Sequence, residues 1–347
     1  MRPGLRVTAP GLLSTIQDLG RPGYRKLGIP TGGALDPVAL RAANILVGNE
    51  PGAGAIEIAY LGPTFVVEAD ATRISFFGAE AAIDVFASVD ASEAKRVRTG
   101  RTILARRGQV IKVGAIVNGA IMYMAVEGGF DLSPVMGSLS TYLRGRIGGY
   151  HGRALMAGDL IPLTIDTVED RLDQQLALPQ NWTRRRFRVV DGPQRDFIAE
   201  ESAMAFFASE YTVGAASDRM GMRLNGQPLH HRRGFNIVSD AIAPGSIQVP
   251  GDGLPIVLMR DHQTIGGYPK FATVITADLP ALGRTPSGAK ISFERVGMEE
   301  AESALGDHRR EIADLKRRLS SVSRGPAEIA ALLNNLNLIS GAISAHA

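Results

Sequence analysis

Short apolar runs broken by glycine and polar turns dominate the first 300 residues. Leu5–Val7, Thr64–Glu68, Arg73–Phe77, Ala82–Phe86, Gln109–Val113 and Ile121–Val126 read as strands, rich in Val, Ile, Phe or Tyr and mostly bounded by Gly, Asp or Asn. The pattern resumes at Phe187–Val190, Tyr211–Val213, Phe235–Val238, Ser246–Val249, Ile256–Met259, Thr273–Ile275 and Lys290–Phe293. Many short strands at regular intervals predict barrels or sandwiches. The helical stretches that an alternating α/β protein needs between its strands are mostly missing.

One early helix is well marked. Asp36 is a cap residue, Pro37 suits the first helical position, and VALRAANILV runs to Gly48, a suitable terminator. Val38, Ala42, Ile45 and Leu46 share one apolar face. Residues 164–186 break the composition: TIDTVEDRLDQQLALPQNWTRRR is polar, charged and contains Pro179. This predicts a linker, with the single tryptophan, Trp182, packing at the junction of two domains. From about Glu299 the chain turns charged and helical, with an interruption predicted at Gly306 and a further helix in GPAEIAALLNNLNLISGAI. These tail helices are expected to cover the protein's own surface. The expected organisation is mainly β: a barrel-like subdomain over 1–165, a linker over 166–186, a second barrel-like subdomain over 187–298 and a helical tail over 299–347.

Composition narrows the chemistry. A length of 347 residues suits two domains, and 45% hydrophobic residues suit a globular core. The chain has no cysteine, which excludes disulfides, thiolate nucleophiles, cysteine zinc sites and iron–sulfur clusters. Against 38 Lys+Arg stand 35 Asp+Glu, and the charges are scattered, so no nucleic-acid partner is expected. The run Arg184-Arg185-Arg186 reads as a solvated edge. No stretch has the apolar length of a signal peptide or a membrane span, so the expectation is a cytoplasmic protein without a membrane partner.

Several patterns fall short of a motif. Gly283–Lys290, GRTPSGAK, nearly spells a phosphate loop, but its Lys comes one place late and no hydroxyl follows. There is no G-x-G-x-x-G after a strand and no G-x-S-x-G. The six histidines form no H-x-x-x-H pattern, so no metal is expected. Two segments carry more. The apolar strand PIVLM delivers Arg260, Asp261, His262, Gln263 and Thr264, followed by the turn Gly266-Gly267-Tyr268-Pro269, while Gln248 ends another strand. Glycine pairs let backbone N–H groups approach a ligand, so the set suits a small planar amide or a carboxylate; a hairpin with capped turns fits the same spacing. In Ser217–Arg223, SDRMGMR, Arg219 or Arg223 suits a bidentate grip on a carboxylate, and a structural ion pair in a turn fits equally. Gln17-Asp18 with Arg21, and Ser138-x-Ser140-Thr141 with Arg153, are polar turns of the same kind.

Taken in order, these segments resemble the allophanate hydrolase subunit 2-like proteins of the biotin-dependent carboxyltransferase family. STIQDLGRPGYRKLGIPTGGALD and AANILVGNEPGAGAIEI are similar to the family's start, YMAVEGG, GSLSTY and GGYHGRALMAGD to its middle, and SDRMGMRLNG with PGSIQVPGDGLPIVLMRDHQTIGGYP to its second domain. The resemblance spans about residues 5–300. It implies an all-β fold of two subdomains, the second cyclophilin-like, working with a sister subunit of allophanate hydrolase subunit 1-like type. It implies substrate contacts from Gln248, Pro250, Gln263, Thr264, Gly267 and Tyr268, with Ser217, Arg219 and Arg223 beside them and Asp261 as a catalytic base. Where the family often has Gln before a Pro-Gly-Asp turn, this chain has GRTPSGAK, so Arg284 is expected to add positive charge near the cleft.

Family membership implies three functional readings. The first is a subunit of an ATP-dependent amide or lactam hydrolase of 5-oxoprolinase type, acting with a lactam-utilisation subunit. The chain has no ATP motif, which places the nucleotide elsewhere in that complex. The second is half of a biotin-dependent carboxyltransferase acting on a urea-like amide. The chain has no Met-Lys-Met attachment site, so biotin would ride on a separate carrier. The third is a regulatory module that antagonises a histidine-kinase inhibitor.

Overall fold

The computed structural model describes residues 2–177 and 182–322. Pro179 and the expected helix beyond residue 324 lie outside the described residues.

The first half is a nine-stranded sheet built from β1 (Gly4–Ala9), β2 (Leu13–Gln17), β3 (Ala55–Ala59), β4 (Thr64–Val67), β5 (Ala71–Phe86), β6 (Ala94–Val97), β7 (Thr102–Arg106), β8 (Val110–Val126) and β9 (Leu160–Pro162). Its main path runs β2-β3-β8-β4-β1-β9, with β5 pairing β6, β7 and β8. It curls into half a barrel. The helix α1 (Pro37–Val47) packs on one face. Phe76, Met122 and Met124 point into the core of the curled sheet, while Phe77, Ile121 and Tyr123 point to the core beneath α1. Successive residues alternate between faces, and both faces are buried here. That is why ISFF and IMYMAV read as continuous apolar runs.

The helix forms as its sequence predicts. Asp36 Oδ1 accepts from the N–H groups of Val38 at 3.0 Å and Ala39 at 3.1 Å. Gly48, left-handed at φ 89°, closes the other end by donating to the Asn44 and Ile45 carbonyls.

A short β10 (Gln174–Gln175) in the linker precedes the second half. Next come β11 (Arg186–Asp191), α2 (Glu200–Ala208), β12 (Tyr211–Val213), β13 (Gly221–Asn225), β14 (Asp240–Ala241), β15 (Ser246–Gln248), β16 (Ile256–Leu258), β17 (Ile265–Gly266), β18 (Lys270–Val274), α3 (Leu279–Gly283) and β19 (Lys290–Arg295). Seven of these strands close a barrel in the order β11-β18-β15-β16-β13-β12-β19, sealed by parallel pairing of β19 with β11. Phe187, Phe206, Phe271 and Phe293 fill its core, with Phe206 and Phe293 stacked 4.9 Å apart. The strands β14 and β17 pair only with each other and form a small flap. The tail begins with α4 (Met298–Asp314) and ends in β20 (Ser320–Ser321), which pairs with β10 in the linker. Leu315 is buried in the α1 core, so the described part of the tail covers the protein's own surface.

Several expectations change. Arg73–Phe77 and Ala82–Phe86 are one strand, β5, because Gly78 at φ 125° bends the ladder without ending it. Gln109–Val113 and Ile121–Val126 likewise join in β8. Phe235–Val238 is not a strand: Ile237 donates one bond to the Gly267 carbonyl, and Phe235 and Val238 are exposed. Gly306 does not interrupt α4. The space where its side chain would project meets only Arg310, so nothing in packing favours a break there. The expected edge Arg184-Arg185-Arg186 is partly committed, since Arg184 donates to Asp278 at 2.6 Å.

Candidate functional site

The two halves meet across a network of buried ionisable groups. Glu57 projects from β3 and Tyr123 from the adjacent β8, where the ladder places them opposite each other. The Tyr123 hydroxyl donates to Glu57 Oε2 and accepts the Asp36 N–H at 2.9 Å. Glu57 Oε2 also accepts the Leu35 N–H at 2.9 Å. From the barrel, Arg219 stands in the turn before β13 and Asp261 in the turn after β16. Antiparallel pairing of these strands brings the turns together, and Asp261 N–H donates to the Arg219 carbonyl at 2.8 Å.

Arg219 binds groups from both halves. Its Nε donates to Asp261 Oδ2 at 2.9 Å and its Nη2 to Asp261 Oδ1 at 3.0 Å. Its Nη1 donates to Glu57 Oε1, and its Nη2 also donates to the Gly33 carbonyl at 2.7 Å. Burial alone lowers the basicity of this guanidinium, but the Asp261 and Glu57 carboxylates more than reverse that, and its pKa is raised. Burial, then the charges of Glu57 and Asp36, push the Tyr123 phenol well above its usual range, so it remains a donor.

A cavity of about 240 Å³ opens beside this network, between the halves. Arg219 and Asp261 lie in its wall with the apolar Met220, Met222, Met259 and Leu143. Ser217 lines it too, as do Arg144 and Asp218, a loose pair 4.0 Å apart. A small molecule entering here meets an apolar wall with one charged patch.

The expected site residues divide into two groups. Ser217, Arg219 and Asp261 border the junction cavity, whereas Gln248, Pro250, Gln263, Thr264, Gly267, Tyr268 and Arg223 do not. Arg219 and Asp261, expected as a carboxylate grip and a separate base, are each other's partner. Arg223 is exposed on β13, and Ser217 Oγ accepts its backbone N–H at 3.0 Å. Around the flap, Gln263 Nε2 donates to Gln248 Oε1 at 3.4 Å, and the Thr264 and Gly267 carbonyls accept from Ile242 and Ile237. The Pro250 carbonyl is bonded to His231 Nε2 at 2.9 Å, and the Tyr268 side chain is exposed. His262 joins the two regions: its Nδ1 lies 2.6 Å from the Gln263 carbonyl and its Nε2 3.3 Å from Arg25 Nη1. A carbonyl accepts and a guanidinium donates, so the ring is neutral with its proton on Nδ1. Burial lowers its pKa to about 4.

Arg284 does not charge the cavity. Its Nη1 donates to Asp36 Oδ2 at 2.6 Å, its Nε to the Trp182 carbonyl at 2.9 Å, and its guanidinium lies 3.8 Å from the Trp182 ring centroid. Neutralised by Asp36, it pins the linker to the junction, and Trp182 meets Phe77 edge-on at 5.6 Å. Sequence reasoning missed Glu57 and Tyr123. The available signal was a lone carboxylate in the apolar strand AIEIA and a hydroxyl in IMYMAV, since buried polar groups need partners.

Comparison with known proteins places this architecture. The family model of the carboxyltransferase domain, subdomain A and B, matches residues 27–295. The chain is 39% identical to the 5-oxoprolinase C subunit of Escherichia coli over 316 residues, covering 91% of this chain and 98% of that protein. It is 38% identical to the 5-oxoprolinase C subunit of Haemophilus influenzae, covering 83% of this chain and 90% of that one. The crystal structure of the Kluyveromyces lactis urea amidolyase superposes with a TM-score of 0.82 at 26% identity, over 94% of this chain but only 21% of that much longer one. By the match to its family model and by its near end-to-end similarity to the 5-oxoprolinase C subunit, this chain belongs to the carboxyltransferase domain, subdomain A and B, family.

Proposed function

We propose that this chain is the C subunit of a 5-oxoprolinase-type complex in the cytoplasm, which opens the lactam of 5-oxoproline to give glutamate. The observation that carries the reading is coverage. The chain aligns with 98% of a relative that is itself named a subunit, but with only 18% of the urea amidolyase of Saccharomyces cerevisiae.

An unstrained lactam resists hydrolysis. In this reading ATP, bound outside this chain, transfers its terminal phosphoryl group to the lactam oxygen and leaves as ADP; water then attacks the activated carbon, phosphate departs, and the C–N bond breaks to give glutamate. The enzyme is completed by the sister subunit and a lactam-utilisation subunit. This chain binds and orients the small amide. The Arg219–Asp261–Glu57 network fixes the angle between the halves, so that groups around the cavity and the flap hold their places. The test is reconstitution: 5-oxoproline-dependent ATP turnover and glutamate formation are expected only when all subunits are present. A complete complex that turns over no 5-oxoproline discards the reading.

A second reading, half of a biotin-dependent carboxyltransferase, is supported by the superposition on urea amidolyase. Recovery of a biotinylated carrier protein with this chain, and carboxylation of an amide by the pair, would favour it.

A further inference from the structure

The barrel carries a second set of buried polar groups, apart from the junction network. Lys270 begins β18 and is only 2% exposed, and among the described residues its ammonium has one carboxylate beside it, that of Asp240. Gln248 stands opposite it in the β15–β18 register, which puts both side chains on one side of the sheet. Gln248 is 3% exposed, its oxygen accepts from Gln263 at 3.4 Å, and its amide nitrogen has no acceptor among the described residues. A buried amide donor without an acceptor beside a buried ammonium held by one half-exposed carboxylate is costly and uncommon, and the pair calls for an explanation.

The flap supplies what covers them. Asp240 on β14 brings Oδ2 to 3.0 Å from Lys270 Nζ. The Asp240 side chain is 51% exposed, and β14 pairs with β17 over only two residues on each strand. A two-residue ladder carrying a half-exposed ion pair is held weakly. Gly266 on β17 covers the amides: a side chain there would come within 2.8 Å of Gln248 Nε2 and 3.4 Å of Gln263 Nε2. Gln194 steadies the rear by accepting the Lys270 backbone N–H at 3.1 Å.

The two donors define a ligand. The ammonium needs an anionic oxygen, and the Gln248 amide nitrogen needs a carbonyl oxygen. We infer that Lys270, Gln248 and Gln263 form a closed binding site for a small amide that carries a carboxylate, with Asp240 of the flap occupying the carboxylate's place until the ligand enters. The choice of 5-oxoproline as the natural occupant rests on the function proposed above. The ligand's carboxylate displaces Asp240 from Lys270, and its amide carbonyl accepts from Gln248. Arg219, committed to Asp261 and Glu57, is not needed for the carboxylate.

The test is calorimetric titration of the full-length chain with three probes: 5-oxoproline, 2-pyrrolidinone, which lacks the carboxylate, and N-acetylglycine, an open-chain amide that keeps it. The wild type is expected to bind 5-oxoproline at least tenfold more tightly than 2-pyrrolidinone. Lys270→Met should erase that difference. Asp240→Asn, which neutralises the competing carboxylate, should tighten 5-oxoproline several-fold and leave 2-pyrrolidinone unchanged; it carries the test if Lys270→Met does not fold. A folded Lys270→Met chain that keeps the tenfold preference overturns the site, as does a wild type that binds neither carboxylate probe. The two proposals separate cleanly. Lys270-dependent binding of N-acetylglycine, with a complex inert toward 5-oxoproline, supports the site and removes the lactam reading. Unchanged 5-oxoproline turnover in a Lys270→Met complex removes the site and keeps that reading.

Discussion

Arg219 and Asp261 are joined by a two-pronged ion pair, 2.9 Å from Nε to Oδ2 and 3.0 Å from Nη2 to Oδ1. Both are buried. Asp261→Asn should therefore leave a guanidinium with too little compensating charge, at a cost of about 3–5 kcal/mol. Glu57→Gln should act in the same direction. Combining Arg219→Met with Asp261→Asn and Glu57→Gln should recover much of the loss, because no unpaired charge remains. Urea unfolding of the four proteins checks the series; a single Asp261→Asn variant as stable as wild type refutes it.

His262 makes stability depend on pH. Its pKa falls from 6.5 to about 4 on folding because the ring is buried, so between those values the unfolded chain binds a proton that the folded chain does not. Stability from this residue is complete above pH 6.5 and declines as pH falls toward 4, by up to ~1.4 kcal/mol per pH unit. His262→Gln should flatten that slope. Denaturation midpoints at pH 4.5, 5.5 and 6.5 decide it, and parallel slopes for the two proteins would count against the assignment.

Asp18 anchors the 138–155 loop. Its carboxylate accepts from the Gly20 N–H at 2.7 Å, the Leu139 N–H at 2.6 Å and the hydroxyls of Ser138 and Ser140 at 2.7 and 2.5 Å. A bond to a charged group contributes about 1.5–3 kcal/mol, so Asp18→Ala should cost at least about 2 kcal/mol. Limited proteolysis should then cut the variant first within this loop, at a site resistant in the wild type.

Trp182 is the only tryptophan, so its fluorescence reports the docked linker alone. Arg284→Gln removes the cation from its ring and leaves buried Asp36 without its counter-ion. Emission should move to longer wavelength, with a loss of about 3 kcal/mol in stability. An unshifted maximum would show that the linker docks without Arg284.

Much of this architecture was legible in the sequence. The helix from Pro37 to Val47 is bounded by a cap residue, a first-turn proline and a terminal glycine, all local signals. The barrel strands Tyr211–Val213 and Lys290–Arg295 alternate apolar and polar residues and are flanked by turns. Less legible were β2 and β3, where Ser14, Thr15 and Glu57 interrupt the apolar pattern: Ser14 and Thr15 are satisfied nearby by the Pro10 carbonyl and Gln17 Nε2, and Glu57 by the distant Tyr123 and Arg219. The strands β5 and β8 looked like four because glycines that bend a ladder resemble glycines that end one. The candidate site was half visible. Gln248, Gln263, Asp261 and Arg219 stood out as polar residues at strand ends. Their division between a junction and a flap depends on which distant strands pair around the barrel, which no local pattern encodes.

The pairing of β20 with β10 has a mechanical consequence. The backbone enters the barrel at Arg186 and leaves it at Arg295, and the segments beyond these two points pair with each other and pack into the α1 core. With the grip of Arg219 on Glu57 across the junction as a third tether, the barrel is fastened at three points, which leaves a rigid body no axis to turn about, so the junction cavity keeps its shape.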